Sequence, residues 1–428
     1  MAALLDIRLL AAVAVVGGLL AVAAVRWPTW VLPGTIALGI LLTRPSAVGE
    51  RLPVLGPLVV TAAAGVCLLR ALRTRDVDRG PFPWPFLLLA LAWAWLGLHA
   101  LIAPGSEPNL ATSTITVLLP VGAFYLVVRD PVLLTRVRTA LVGLLVAVSA
   151  LVVVALALIA VAGPTATLVG AVPLGYVYSD AGLYLPGALS YGLDPGAAFP
   201  RMLTVGREPG MGALFLGWAL LAMPATFPYR RASQAVLAVA LLSTQSTAGI
   251  GLLGVCLVLR VVLGRARFSP WAAGAATVGG GAIVWLAIFS PAFGLVTKAG
   301  AEGGSVDARD RATLDGLTAL VTHPFTAQTT ADLSSTNLVA AIAVDGAPWS
   351  LLMIAFLAAP VVRAHRREPL LYGSLFVLLT MLTAQPLAGN AGVLLLAAMS
   401  FYLVEPRAHV RDLPSYSSRD HARGEVAR

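Results

Sequence analysis

The chain alternates long apolar runs with short polar breaks. A helix needs about 20 apolar residues to cross a bilayer, with a range of about 17 to 25, and runs of that order lie at 9–25, 27–43, 52–69, 84–103, 110–128, 140–162 and 209–227. The stretch 233–263 is too long for one crossing. It is interrupted by Ser243, Thr244, Gln245, Ser246 and Thr247, with Arg230 and Arg231 before it and Arg260, Arg265 and Arg267 after it. Two short helices meeting at a polar tip account for that pattern. Runs at 271–289, 347–362, 369–384 and 387–404 bring the count to about 13 spans, or about 12 to 14 within span-length tolerance. The predicted fold class is all-α, a polytopic transmembrane helical bundle with two long extracytoplasmic loops. The first run has no small-residue cleavage pattern after it and is read as a span.

Composition agrees with this pattern. The 428 residues are 58% hydrophobic and only 11% charged, with mean hydropathy +0.87, whereas soluble domains carry about 25% charge. A soluble enzyme, a secreted disulfide scaffold and a disordered tail are excluded as the main body. The net charge of +9 is not a nucleic-acid footprint, because the arginines sit between apolar runs. They mark sidedness. Clusters at Arg70 to Arg79, Arg129 to Arg138, Arg230 and Arg231, Arg260 to Arg267, Arg363 to Arg367 and Arg407 to Arg428 fall on one side by alternation. That side is read as the cytoplasm, with the N-terminus outside, the whole lying in a bacterial cytoplasmic membrane. Cys67 and Cys256 lie inside apolar runs and read as packing residues, not a disulfide.

The expected organisation is an N-terminal bundle (1–162), a first outer loop (163–208), central helices with the hairpin (209–290), a large outer loop (291–346), C-terminal helices (347–404) and a cytoplasmic tail (405–428). Both outer loops exceed the usual connection of about 4 to 6 residues, and long loops on a rigid scaffold carry function. Each also holds arginine on the side where the bias predicts little: Arg201 and Arg207 in the first, Arg309 and Arg311 in the second.

In the second loop, Leu314, Leu317 and Val321 make an apolar stripe at helical spacing, with Asp307, Arg311, Asp315 and Thr322 on another face. This predicts an amphipathic helix at the membrane surface. Arg311 could simply pair with Asp307 or Asp315. Alternatively, the guanidinium fork binds phosphate oxygens bidentately, so Arg207, Arg309 and Arg311, with Arg201, are candidates to hold a lipid-linked diphosphate and stabilise charge as a sugar leaves. Glu208 could orient Arg207 or act as a base toward an acceptor hydroxyl. An imidazole suits proton transfer, which makes His323 a candidate, but a histidine before Pro324 also commonly ends a helix. No cofactor or metal is expected. Asp307 and Asp310 suit a helix N-terminus, and His99 has no ligand partner at suitable spacing. The aromatic stretch from Tyr176 to Tyr191 could stack on sugars or be a packed interfacial loop.

Four stretches resemble the O-antigen ligase and polymerase superfamily of bacterial membrane glycan transferases: Gly206-Arg-Glu-Pro-Gly210, Leu241 to Gly249, Arg311 through His323-Pro324-Phe325, and Asn337 to Gly346. The chain departs from the family's pattern at Thr326-Ala-Gln328, where glycines are usual, and at Thr336, where a histidine is common. The polar tip also lacks the family's arginine. The resemblance implies outer-loop arginines that recognise an undecaprenyl-diphosphate-type donor, with metal-independent transfer. Expected partners are a lipid-diphosphate-linked oligosaccharide donor, a glycan acceptor, membrane lipids, and a chain-length regulator or flippase. The leading reading is polymerisation of such units. Ligase-like transfer to a lipid or protein acceptor, a precursor transporter or flippase, and a non-catalytic scaffold are the alternatives.

Overall fold

The structure, a computed structural model, describes residues 31–43, 54–74, 83–102, 110–172, 180–191, 199–206, 208–263, 269–290, 294–296, 303–325, 336–364, 368–384 and 390–404. The first apolar run, the N-terminal sidedness, Arg207 and the tail 405–428 lie outside these residues.

The described chain is mostly helical. The main helices are α1 (Val31–Leu41), α2 (Leu55–Thr74), α3 (Trp84–Ile102), α4 (Leu110–Val128), α5 (Pro131–Ala162), α6 (Pro209–Ala222), α7 (Arg230–Ser243), α8 (Thr247–Leu263), α9 (Pro270–Phe289), α10 (Gly303–Thr322), α11 (Ala347–Arg363), α12 (Pro369–Thr383) and α13 (Ala391–Leu403). Among the described residues α2, α3, α4 and α5 are long and apolar enough to cross a membrane, and seven shorter apolar helices accompany them. These apolar helices mark a membrane protein.

The breaks have local causes. In α4 a π-helical turn at Thr114–Leu118 precedes Pro120, whose ring cannot continue an undisturbed ladder. Helix α5 starts nine residues before the apolar run at 140. The Asp130 carboxylate accepts from the amides of Val132 (3.0 Å) and Leu133 (2.9 Å), and Pro131 occupies the first position, a strong start signal that hydropathy does not register. Helices α7 and α8 form the hairpin. Its polar tip turns the chain: Thr244 Oγ1 accepts from the Ser246 amide (3.2 Å), Ser246 Oγ accepts from the Gly249 amide (3.3 Å), and Gln245 is left-handed at φ 49°.

The all-α expectation is corrected in the first loop, where β1 (Leu168–Val172), β2 (Ala181–Tyr184) and β3 (Ala188–Leu189) form an antiparallel sheet in that order. Its alternation is too short to stand out against the surrounding apolar sequence. Tyr184 is buried against the main helical core, so the packed-loop alternative holds for that ring.

The core centres on α6, α12 and α13. Every residue from Pro209 to Ala219 is buried, as is every residue from Ala391 to Phe401. Phe376 of α12 lies where a Cβ on Gly217 would sit, and Trp218 Nε1 donates to Ser400 Oγ at 3.3 Å. In lipid, where apolar contact alone does not draw helices together, small residues that let backbones approach are the main packing device.

The ends of the bundle differ. At one end Arg138 Nε donates to the Ala222 carbonyl at 2.9 Å, Arg363 lies 4.5 Å from the Phe401 ring centroid, and Arg260 lies 5.9 Å from that of Tyr372. Arginines from separate clusters are thus gathered together. Helices α6 and α12 are antiparallel, with Gly217 against Phe376 and Gly373 against Trp218 and Ala222, so the start of α6 is level with the end of α12 at the opposite end. Both long loops open there.

Gly217→Ala is expected to destabilise the protein by about 1–3 kcal/mol through overpacking against Phe376. Gly274→Ala, on α9 with no atom within 4 Å of its added Cβ, should be neutral. Thermal unfolding in detergent compares the two.

Candidate functional site

The loop end is assembled from four segments. The strand-like segment 199–206 lies against the hairpin tip: Met202 N donates to the Ser243 carbonyl (2.9 Å), and Gln245 Nε2 donates to the Phe199 carbonyl (3.3 Å). Arg201 is part of this junction. Its Nε donates to the Thr244 carbonyl at 3.0 Å, its carbonyl accepts from the Tyr191 amide at 2.6 Å, and its guanidinium lies 5.4 Å from the Tyr191 ring centroid. These contacts close the C-terminal end of α7 and give Arg201 a structural job.

Glu208 follows at the N-cap of α6. It is half-buried with extended backbone, and its carbonyl accepts from the amides of Met211 and Gly212, both at 3.1 Å. Its carboxylate makes no capping bond to the helix. The chain doubles back tightly here. A Cβ on Gly206 would run into the Gly212 amide, and one on Gly212 would run into Thr204, which is itself left-handed at φ 56°.

Helix α10 forms the third segment, and here the predicted faces are revised. Leu314, Leu317 and Val321 are exposed, while Ala312, Gly316 and Ala319 are buried. Gly316 lies so close to the Val339 carbonyl that no side chain fits. The buried side is therefore the small-residue side, and the leucine stripe faces outward. Asn337, itself buried, fixes the dock: its Nδ2 donates to Thr313 Oγ1 (2.9 Å), while its Oδ1 accepts from the amides of Val339 (3.0 Å) and Ala340 (2.8 Å). Leu338 N then donates to the Met381 carbonyl of α12 at 3.0 Å. This ties α10 to the level at which α6 begins.

Arg309 and Arg311 are both exposed on α10. Two residues on a helix are separated by about 200° around its axis, so these guanidiniums leave from nearly opposite sides. A joint grip by both on one diphosphate, as the sequence suggested, does not follow from this helix. His323 comes directly after the helix; its amide donates to the Ala319 carbonyl at 2.8 Å, and its side chain is exposed.

The fourth segment is a closure that sequence reasoning missed. Trp95 of α3 donates its Nε1 to the Asp345 carbonyl at 2.8 Å, with its ring 6.2 Å from Phe325 and 6.1 Å from the fully buried His99. The Ala347 amide donates to the Pro324 carbonyl at 2.8 Å. Both ends of the segment 324–346 therefore meet on one tryptophan. No local signal marks Trp95, since its partner is 250 residues away in the chain.

No known protein family, curated protein or solved structure matches the chain. Among the described residues no group of three or more His, Cys, Asp or Glu could hold a metal ion.

Asn337→Ala removes three hydrogen bonds and orphans two amides, a cost of about 1–3 kcal/mol. Hydrogen–deuterium exchange should rise across 303–322 and stay unchanged in α6. Trp95→Phe keeps the ring but loses one bond, worth about 0.5–1.5 kcal/mol. Limited proteolysis between Pro324 and Gly346 should become faster.

Proposed function

We propose that the protein is a membrane glycosyltransferase that joins lipid-diphosphate-linked oligosaccharide units into a cell-surface polysaccharide on the outer face of the cytoplasmic membrane. One observation carries this reading. Helix α10 is held to the bundle by its small-residue face, which leaves Arg309 and Arg311 exposed on a fixed helix at the end where both long loops open.

A polyprenyl-type diphosphate would lie at this depth beside the outward leucines, within reach of one of the two arginines. That guanidinium would bind the phosphate oxygens and stabilise their charge as the glycosidic bond to phosphate breaks. An acceptor hydroxyl attacks the anomeric carbon from the opposite face, inverting it, and gives up its proton. Glu208 and His323 are the proposed proton-handling groups, and Arg207 the further donor contact, Arg201 being committed to the hairpin junction. No metal is required in this scheme. Transport is disfavoured because α6, α12 and α13 carry no Asp, Glu, Lys, Arg or His, whereas transporters keep such groups near the midplane.

The test is the pool of lipid-linked glycans in cells lacking the protein, compared with cells carrying the wild type, Arg309→Ala, Arg311→Ala or both. Loss of the protein should build up single-repeat lipid-linked units and remove long polymer. The two single variants should insert normally, and their activities should differ by at least about tenfold, because removing one charge-stabilising donor typically costs about 10²–10³ in rate and only one arginine faces the diphosphate. Full activity in the double variant would rule out the arginine contact. Unchanged outer glycans in the deletion would rule out the enzyme reading.

A further inference from the structure

The arginines at the opposite end of the bundle are not equivalent. Arg138 is satisfied by the Ala222 carbonyl and interacts electrostatically with Glu368. Arg363 stacks on Phe401. Arg230 and Arg260 form a different pair. Arg230 opens α7 and Arg260 lies in the last turn of α8, both partly buried and close enough for their like charges to interact. The Nε of Arg230 is buried without a hydrogen-bond partner, and Arg260 has the Tyr372 ring at 5.9 Å from its guanidinium.

The charged and polar groups that act on Arg260 are Arg230 and Tyr372. Glu368, the N-cap of α12 one turn before Tyr372, acts on Arg138. Two half-buried guanidiniums whose like charges interact repel and lose hydration, which an opposite charge would offset. The exposed Tyr229, next to Arg230, suits the headgroup level, where tyrosine rings collect. The first turn of α7 adds amides with partial positive charge, and its N-cap offers no side-chain acceptor.

We infer that Arg230 and Arg260, with Tyr372 as the floor, hold the phosphate of an anionic phospholipid between α7, α8 and α12. Basic pockets between helices at a membrane face bind such headgroups. The guanidinium forks supply bidentate contacts to phosphate oxygens. This site is separate from α10 and does not depend on the glycosyltransferase reading.

The test uses the purified full chain. Native mass spectrometry with equimolar phosphatidylglycerol and phosphatidylcholine of matched acyl chains measures retained lipid, and thermal unfolding in the same mixtures measures stabilisation. The wild type should retain phosphatidylglycerol at least fivefold over phosphatidylcholine. Arg230→Gln/Arg260→Gln should remove that preference, while Arg231→Gln, at the exposed neighbour, should keep it. Equal retention of both lipids by the wild type overturns the proposal without any variant. A preference that survives in the double variant overturns it as well. Inorganic phosphate that stabilises the wild type as much as phosphatidylglycerol, and not the double variant, overturns the lipid assignment in favour of a soluble anion.

Discussion

Close approach of small-residue faces is the constraint on which the structure depends. Leucine gains little by leaving lipid for a neighbouring leucine, so helices in a bilayer are held by backbone proximity and the dispersion contacts it permits. Helix α6 illustrates this. Gly217 admits the Phe376 ring, Gly249 of α8 packs on Ala213, and Gly212 lies against the Leu203 carbonyl. Because this helix fixes its neighbours on several sides, it also fixes where Glu208, the hairpin tip and the end of α12 stand relative to one another.

The same rule explains which parts of the fold were legible in the sequence. The apolar helices were readable because hydropathy follows their length, although four of those described are long enough to cross a membrane, and the α7–α8 hairpin was readable because five consecutive polar residues cannot sit inside lipid unpaired. The early start of α5 was missed for a reason that can be named: Arg136 and Arg138 lower the local hydropathy, while the helix there is set by the Asp130 cap and by the Ala222 carbonyl that receives Arg138. The sheet was missed because strands of two to five residues leave little pattern.

The candidate site was legible in its charges and illegible in its faces. Arginine in loops predicted to lie outside pointed to two segments that the fold brings to one end of the bundle. Hydropathy then favoured Leu314, Leu317 and Val321 as the packed side of α10, although Ala312, Gly316 and Ala319 make the contact. In a soluble protein leucine is the residue to bury, but at a membrane surface lipid competes for it, while alanine and glycine are the residues that another backbone requires. Trp95 lay beyond reach altogether, since a hydrogen bond to a carbonyl 250 residues away has no local signature.

Arginine is used in different ways within this fold, and the difference does not follow the two ends. Arg138 terminates the carbonyl row of α6, and Arg201 does the same for α7 from the other end. In both cases the guanidinium answers a backbone need that the helix end creates. Arg309 and Arg311 answer no such need, because the dock of α10 is completed by Asn337, Thr313 and the small residues. Removing them leaves every hydrogen bond and close contact of that dock in place. A side chain that the fold holds in place without using it for packing is open to a ligand, and the proposed diphosphate contact is built on that position.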